Sequence, residues 1–174
     1  MTALMADVKY DCGGILAQKS IPFEYPLKIQ EAIEKIEPLY FELIADIYQR
    51  LLNNEKLLTT KQKDNEATYS PWLDEEDYFI DWQWPAEKIE RFVNAVGYPY
   101  SGAKAQLGNE IVTFVQVETV EDLSIEHRER HLGKVLLIDK GCPVVICRQG
   151  MLRLIDIRNS TNGKKQINFR SRFK

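Results

Sequence analysis

The chain has 174 residues, 44% of them apolar, with 23 basic and 26 acidic side chains, which is the size of one domain or two small ones. A chain of this length hides about 70% of its extended surface on folding, which excludes a disordered chain and a disulfide-stapled mini-protein. The three cysteines, Cys12, Cys142 and Cys147, are odd in number and read as free thiols of a reducing, cytoplasmic compartment. No run approaches 18 consecutive apolar residues, and Asp7 and Asp11 stand where a signal peptide would carry its basic head and apolar middle, so no membrane partner is expected.

Charge is unevenly spread. Residues 1–100 hold 10 basic and 18 acidic groups, whereas residues 101–174 hold 13 and 8. The last thirteen residues, NGKKQINFRSRFK, carry five basic side chains and no acid. Such an end either meets phosphate or is a frayed, solvated terminus.

In chain order, the apolar run TALMA (2–6), the turn-rich Lys9 to Gly14, and Ile15 with Leu16 read as strand, loop and strand. Ile29, Ile33, Ile36, Tyr40, Leu43, Ile47 and Leu51 then follow at steps of three and four, one stripe along a helix over 27–52. Pro38 inside it predicts a kink or two consecutive helices. Residues 53–84 have no period but crowd Tyr69, Trp72, Tyr78, Phe79, Trp82 and Trp84 among carboxylates. A long irregular segment of this kind is either functional or pinned by large side chains, and Trp72, Trp82 and Trp84 are the expected clamps.

Pro85 suits the start of a short helix carrying Ile89, Phe92, Val93 and Val96, which Gly97 and Pro99 stop. After Gly102 come five short β runs, 104–107, 111–117, 134–138, 144–147 and 151–157, separated by glycine-bearing turns. They predict a small five-stranded barrel or sandwich. The fold class is therefore α+β, with residues 1–100 forming one part and residues 101–174 a small β domain.

Few residues announce chemistry. His127 and His131 are four apart, but Arg128 stands where HExxH needs its glutamate, and no metal is expected. Cys142 and Cys147 flank an apolar run and read as small hydrophobes. Asp11 is different: an acid at a strand end beside Gly13 and Gly14 is a common way to present a carboxylate to a pocket, although Asp and Gly also simply make turns.

The run TALMADVKYDCGGILAQKSIPF resembles the end of the catalytic domain of 10-formyltetrahydrofolate-dependent formyltransferases, whose loop has the form D-x-G-x-D-x-G-x-I/M-L. Lys9 stands where that loop often has glycine, and Gly14 replaces a frequent aspartate or proline. Ala67-Thr68-Tyr69, Asp77, Ile80-Asp81-Trp82, the helix through Ile89 and Arg91, and PYSGA at 99–103 follow in the family's order. Gly133-Lys134-Val135 through Gly150-Met151-Leu152 is similar to its small C-terminal β domain.

The resemblance implies a remnant of an α/β catalytic domain (strand, loop, long helix) followed by an OB-like barrel. It implies 10-formyltetrahydrofolate as formyl donor, Asp11 as the catalytic carboxylate, Asp7 and Tyr10 as folate-contacting residues, and Tyr69 as a substrate contact. The family's asparagine and histidine lie in an N-x-H-x-S-x-L-P segment that this sequence lacks, so the chain alone is expected to be inactive. The stripe on the long helix is expected to lose part of the sheet it covers and to associate. WLDEEDYFIDW and PYSGA look more similar to the enzymes that formylate a nucleotide-linked amino sugar than to methionyl-tRNA formyltransferase. A tRNA-binding module and a non-catalytic homodimerisation module are the other two functions these residues fit.

Overall fold

A computed structural model describes all 174 residues. They gather into two compact units, one of residues 1–25 and 31–72, the other of residues 26–30 and 73–174. The composition change at residue 100 thus falls inside the second unit.

In the first unit, strands β1 (Thr2–Leu4) and β2 (Ile15–Gln18) form an antiparallel hairpin with Ala3 opposite Ala17 and a register shift after Ala3. Helix α1 (Ile29–Leu52) is assigned as one helix through Pro38. A proline removes one i→i−4 bond, and the helix continues past it for three further turns and more. Of the stripe only Leu43 is buried, while Ile33, Tyr40 and Leu51 are exposed, as are Phe41 and Ile44 beside them. The segment after α1 is irregular apart from a 3-10 turn at Asp64–Glu66 and a bridge between Thr60 and Ile15.

The second unit is built on helix α2 (Ala86–Ala95) and strands β3 (Ala103–Leu107), β4 (Glu110–Val120), β5 (Val135–Asp139), β6 (Cys142–Ile146) and β7 (Met151–Arg158). Pro85 caps α2 with extended backbone, and the buried Ala86, Ile89 and Val93 fall at helical spacing. All strand pairs are antiparallel, in the order β3-β4-β7-β6-β5. Lys140 and Gly141, both at positive φ, link Asp139 to its partner Cys142, the conformation a tight two-residue hairpin requires. In β4 the inward positions run Val112, Phe114, then Val117, and the ladder with β7 shifts on either side of Gln116. A bulge here resets which face the strand buries.

The five expected strands are all present, but they do not close into a barrel: β3 and β5 remain as edges. Unpaired edge groups need partners, and the C-terminal residues supply them. Lys174 and Gln106 exchange N–H···O bonds of 2.9 and 3.0 Å, Phe173 N–H donates to Gly133 O at 2.8 Å, and Val135 N–H donates to Ser171 O at 2.8 Å. The basic end is therefore docked rather than frayed.

Trp82, Phe114 and Phe173 form the aromatic centre of the core, with ring centroids 5.4–6.0 Å apart. Trp84 packs edge-on against Phe92 at 5.3 Å. Trp72, Trp82 and Trp84, expected to clamp the long loop onto the catalytic domain, divide differently: Trp82 and Trp84 pack within the second unit, and Trp72 is 97% exposed.

Candidate active site

Asp11 lies in the β1–β2 connection, and three backbone features set its place. Gly13 is buried with no room for a side chain, since a Cβ there would overlap the Met5 carbonyl, and Met5 N–H donates to Gly14 O at 2.9 Å. At Gly14 a Cβ would come within 2.7 Å of the Thr59 hydroxyl. Asp11 itself has φ +54, a left-handed conformation that Asp tolerates better than most residues.

A side chain 51 residues away holds the loop. Gln62 Nε2 donates to Asp11 O at 2.7 Å and to Gly13 O at 2.8 Å. Next to it, Ile15 and Thr60 exchange backbone bonds of 2.8 and 2.9 Å. One amide thus fixes the carbonyls on either side of Cys12, so the exposed Asp11 is carried on a braced backbone. No sequence signal marks Gln62, because a polar residue in a polar, aperiodic stretch looks like any other.

The other expected site residues are less constrained. Asp7 accepts a 2.6 Å bond from Val8 N–H and so engages its own turn. Tyr10 is 98% exposed and shares the loop with Asp11. Tyr69 is 93% exposed, in an irregular segment, and no hydrogen bond joins it to Asp7, Tyr10 or Asp11. The loop is an open surface, and a pocket around Asp11 needs a second surface laid over residues 7–12.

In the second unit the two histidines make no metal site. His127 is left-handed and ends before the short 3-10 turn Arg128–Arg130, so the helical i,i+4 face never forms, and no cluster of His, Cys, Asp or Glu is placed to hold a metal. Arg128 between them is structural. Its guanidinium donates to Cys147 O at 3.0 Å, Gly150 O at 3.1 Å and Leu123 O at 2.6 Å, and pairs with Asp122. Burial works against the Asp122 charge, but the bonds from Arg128 and Gly150 N–H outweigh it and hold its pKa below the ordinary value. Burial pushes the Cys147 thiol up to about 12, which makes it an inert core group.

Residues 73–174 match the family model of the formyl transferase C-terminal domain. The chain belongs to this family. It is 29% identical over 167 residues to the methionyl-tRNA formyltransferase of Caldanaerobacter subterraneus subsp. tengcongensis, covering 96% of this chain and 52% of that protein. It is 30% identical over 143 residues to that of Treponema denticola, covering 79% of this chain and 42% of that protein. The chain thus spans about half the length of these relatives. Among solved structures, HypX from Aquifex aeolicus in complex with tetrahydrofolic acid superposes with a TM-score of 0.65 over 91% of this chain and 27% of that one, at 20% identity. That likeness is one of fold. No helix is long and apolar enough to cross a membrane.

Proposed function

We propose that this chain supplies the Asp11 carboxylate and the C-terminal domain of a formyltransferase that takes its formyl group from 10-formyltetrahydrofolate. The observation that carries the proposal is that similarity to methionyl-tRNA formyltransferases runs over 96% of the chain. An alignment that omits so few residues necessarily takes in the Asp11 loop together with the matched C-terminal domain.

In formyl transfer the acceptor amine attacks the formyl carbon, the carbonyl oxygen becomes an oxyanion, the amine gives up a proton, and the oxyanion collapses back to a carbonyl as the bond from carbon to the folate nitrogen breaks and that nitrogen takes up a proton. A carboxylate serves this chemistry by orienting and stabilising the imidazole that takes the proton, while a hydrogen-bond donor holds the oxyanion. Asp11 fits the carboxylate role because its backbone is braced by Gln62 and its side chain has no partner of its own. The imidazole and the oxyanion donor would come from the surface laid over this loop, with Tyr10 and Asp7 lining the folate side of the contact. Tyr69 is assigned to the acceptor.

For the acceptor, the amine of an aminoacyl-tRNA is favoured by the relatives and by one feature of the second unit. A groove of about 290 Å³ carries the cations Lys134 and Arg170, with His131 beside them, against a single acid, Glu126, and the half-exposed Phe169 forms part of its wall. Cations around an accessible ring suit a phosphate-bearing strand. A nucleotide-linked amino sugar is the second reading, favoured by the WLDEEDYFIDW and PYSGA segments.

The test joins this chain to the amino-terminal half of the Caldanaerobacter enzyme and follows tetrahydrofolate release with charged initiator tRNA or with a nucleotide diphosphate 4-amino sugar. Release with the tRNA is expected, with Asp11→Asn lowering turnover about 10²–10⁴-fold. Full turnover in the Asp11→Asn protein would remove the catalytic role, and turnover of the sugar alone would reverse the acceptor.

A further inference from the structure

A cavity of about 440 Å³ lies beside the C-terminal end of α2, where the 98–102 turn meets the bulged part of β4 and the end of β7. Its volume falls within the range of small-molecule sites, which is roughly 300–1,000 Å³. Buried Val93 and Phe114 form its apolar floor, and Tyr98 and Tyr100 stand on its rim, 75% and 51% exposed. No aspartate or glutamate lines it.

Arg158 is the best-organised group in this cavity. Its Nε and Nη2 donate to Asp156 Oδ2 at 3.3 and 3.0 Å, and its Nη1 donates to Asn162 Oδ1 at 3.0 Å. A guanidinium has five N–H donors in a fixed plane. Three are engaged in holding the group still, and one on each terminal nitrogen remains for a ligand. A fork held in this way favours a tetrahedral oxyanion, which accepts paired N–H bonds. Lys28, on the same lining, makes no ion pair and adds a second positive charge.

The backbone keeps the cavity open. Gly102 is at φ +80, and a Cβ there would come within 2.6 Å of the Thr113 methyl. On β4, Thr113 pairs with Arg158 and Phe114 with Ile157, after which the bulge leaves Val115 outside the ladder on the cavity wall. The bulge therefore ends regular pairing next to the arginine.

We propose that this cavity binds a nucleoside 5′-phosphate, with the base against the tyrosine rim and the phosphate on Arg158 and Lys28. Each part answers to a feature of the lining: stacking to Tyr98 and Tyr100, charge and fork geometry to Arg158 and Lys28. The site does not depend on the formyl-transfer reading, since none of its residues takes part in that chemistry. The ligand is either a free nucleotide or the phosphorylated end of an RNA strand, which present the same chemistry.

The test titrates the full chain with AMP, UMP, adenosine, inorganic phosphate, and a short RNA with or without a 5′-phosphate, following backbone amide shifts and calorimetry. A nucleotide or a 5′-phosphorylated RNA is expected to bind at least tenfold more tightly than nucleoside or phosphate alone, with shifts at Gly102, Thr113 and Val115. Arg158→Gln should lower that affinity about tenfold and leave nucleoside binding unchanged, whereas Tyr100→Ala should weaken both. Thermal melts of the variants separate loss of binding from loss of fold, and Lys28→Gln, at an exposed position, tests the charge without touching the sheet. Binding of AMP but not RNA, or the reverse, assigns the source. Three results would overturn the site: dissociation constants weaker than about 1 mM for every nucleotide and RNA probe, equal affinity for phosphate and nucleotide, or binding that ignores both the arginine and lysine variants.

Discussion

The ring of Phe173 stacks on that of Trp82, with centroids 5.5 Å apart and planes inclined by 28°. The next-to-last residue of the chain is thereby part of the core of the second unit. Gly133 lies against the same pair, at φ +73, where a Cβ would overlap the Phe173 carbonyl and sit 3.3 Å from the Trp82 ring. Phe173→Ala is expected to cost about 3–5 kcal/mol, the range for emptying a buried aromatic position. Urea denaturation checks this. Deleting residues 171–174 removes the bonds to both sheet edges as well, so the shortened chain should aggregate where the full chain does not.

Gly13→Ala has no way to relieve the overlap with the Met5 carbonyl, because that atom is backbone within the hairpin. The expected outcome is opening of β1–β2, seen as loss of hydrogen-exchange protection at Met5 and Ile15 while the second unit keeps its protection. Gln62→Ala should act more mildly on the same loop, by about 1–2 kcal/mol for two lost hydrogen bonds.

Asp122 has a folded pKa below its ordinary 3.8. Its contribution to stability is therefore complete above that value and is lost as the pH falls through the folded pKa. The Asp122→Asn protein lacks the contribution at every pH. The stability gap between the two, about 1 kcal/mol for a half-exposed ion pair, should stay constant from neutral pH down to about 5 and close on further acidification. Chemical denaturation at a series of pH values measures it. A gap that widens in acid would contradict the assignment.

Cys12 is exposed, whereas Cys147 is buried with its thiol pushed up to about 12. At pH 8 a disulfide reagent should modify Cys12 within the native chain and reach Cys147 only after unfolding. The ratio of the two labelling rates, followed by peptide mass, reports directly on opening of the β6–β7 region.

Much of the local structure was legible before any coordinate. Apolar residues three and four apart marked α1 and α2, Pro85 marked the start of α2, and the Lys140-Gly141 turn marked the β5–β6 hairpin, because each is a property of neighbours in sequence. Pro38 predicted a kink or two consecutive helices, and Ile29–Leu52 is one continuous helix through it rather than two. The turn that carries Asp11 was legible through Gly13 and Gly14, where the Met5 carbonyl and Thr59 leave no room for a side chain.

What the tertiary structure alone decided is which distant residues complete these local pieces. Residues 171–174 bond to β3 and to the Gly133–Val135 stretch that opens β5, and Gln62 clasps the Asp11 loop. None of these has a period or a spacing, because a hydrogen bond between residues 50 apart constrains two positions and leaves the sequence between them free. Helices and turns are short-range consequences of backbone sterics and side-chain pattern, so sequence determines them. Edges, braces and pockets exist only once residues far apart in sequence have been brought together.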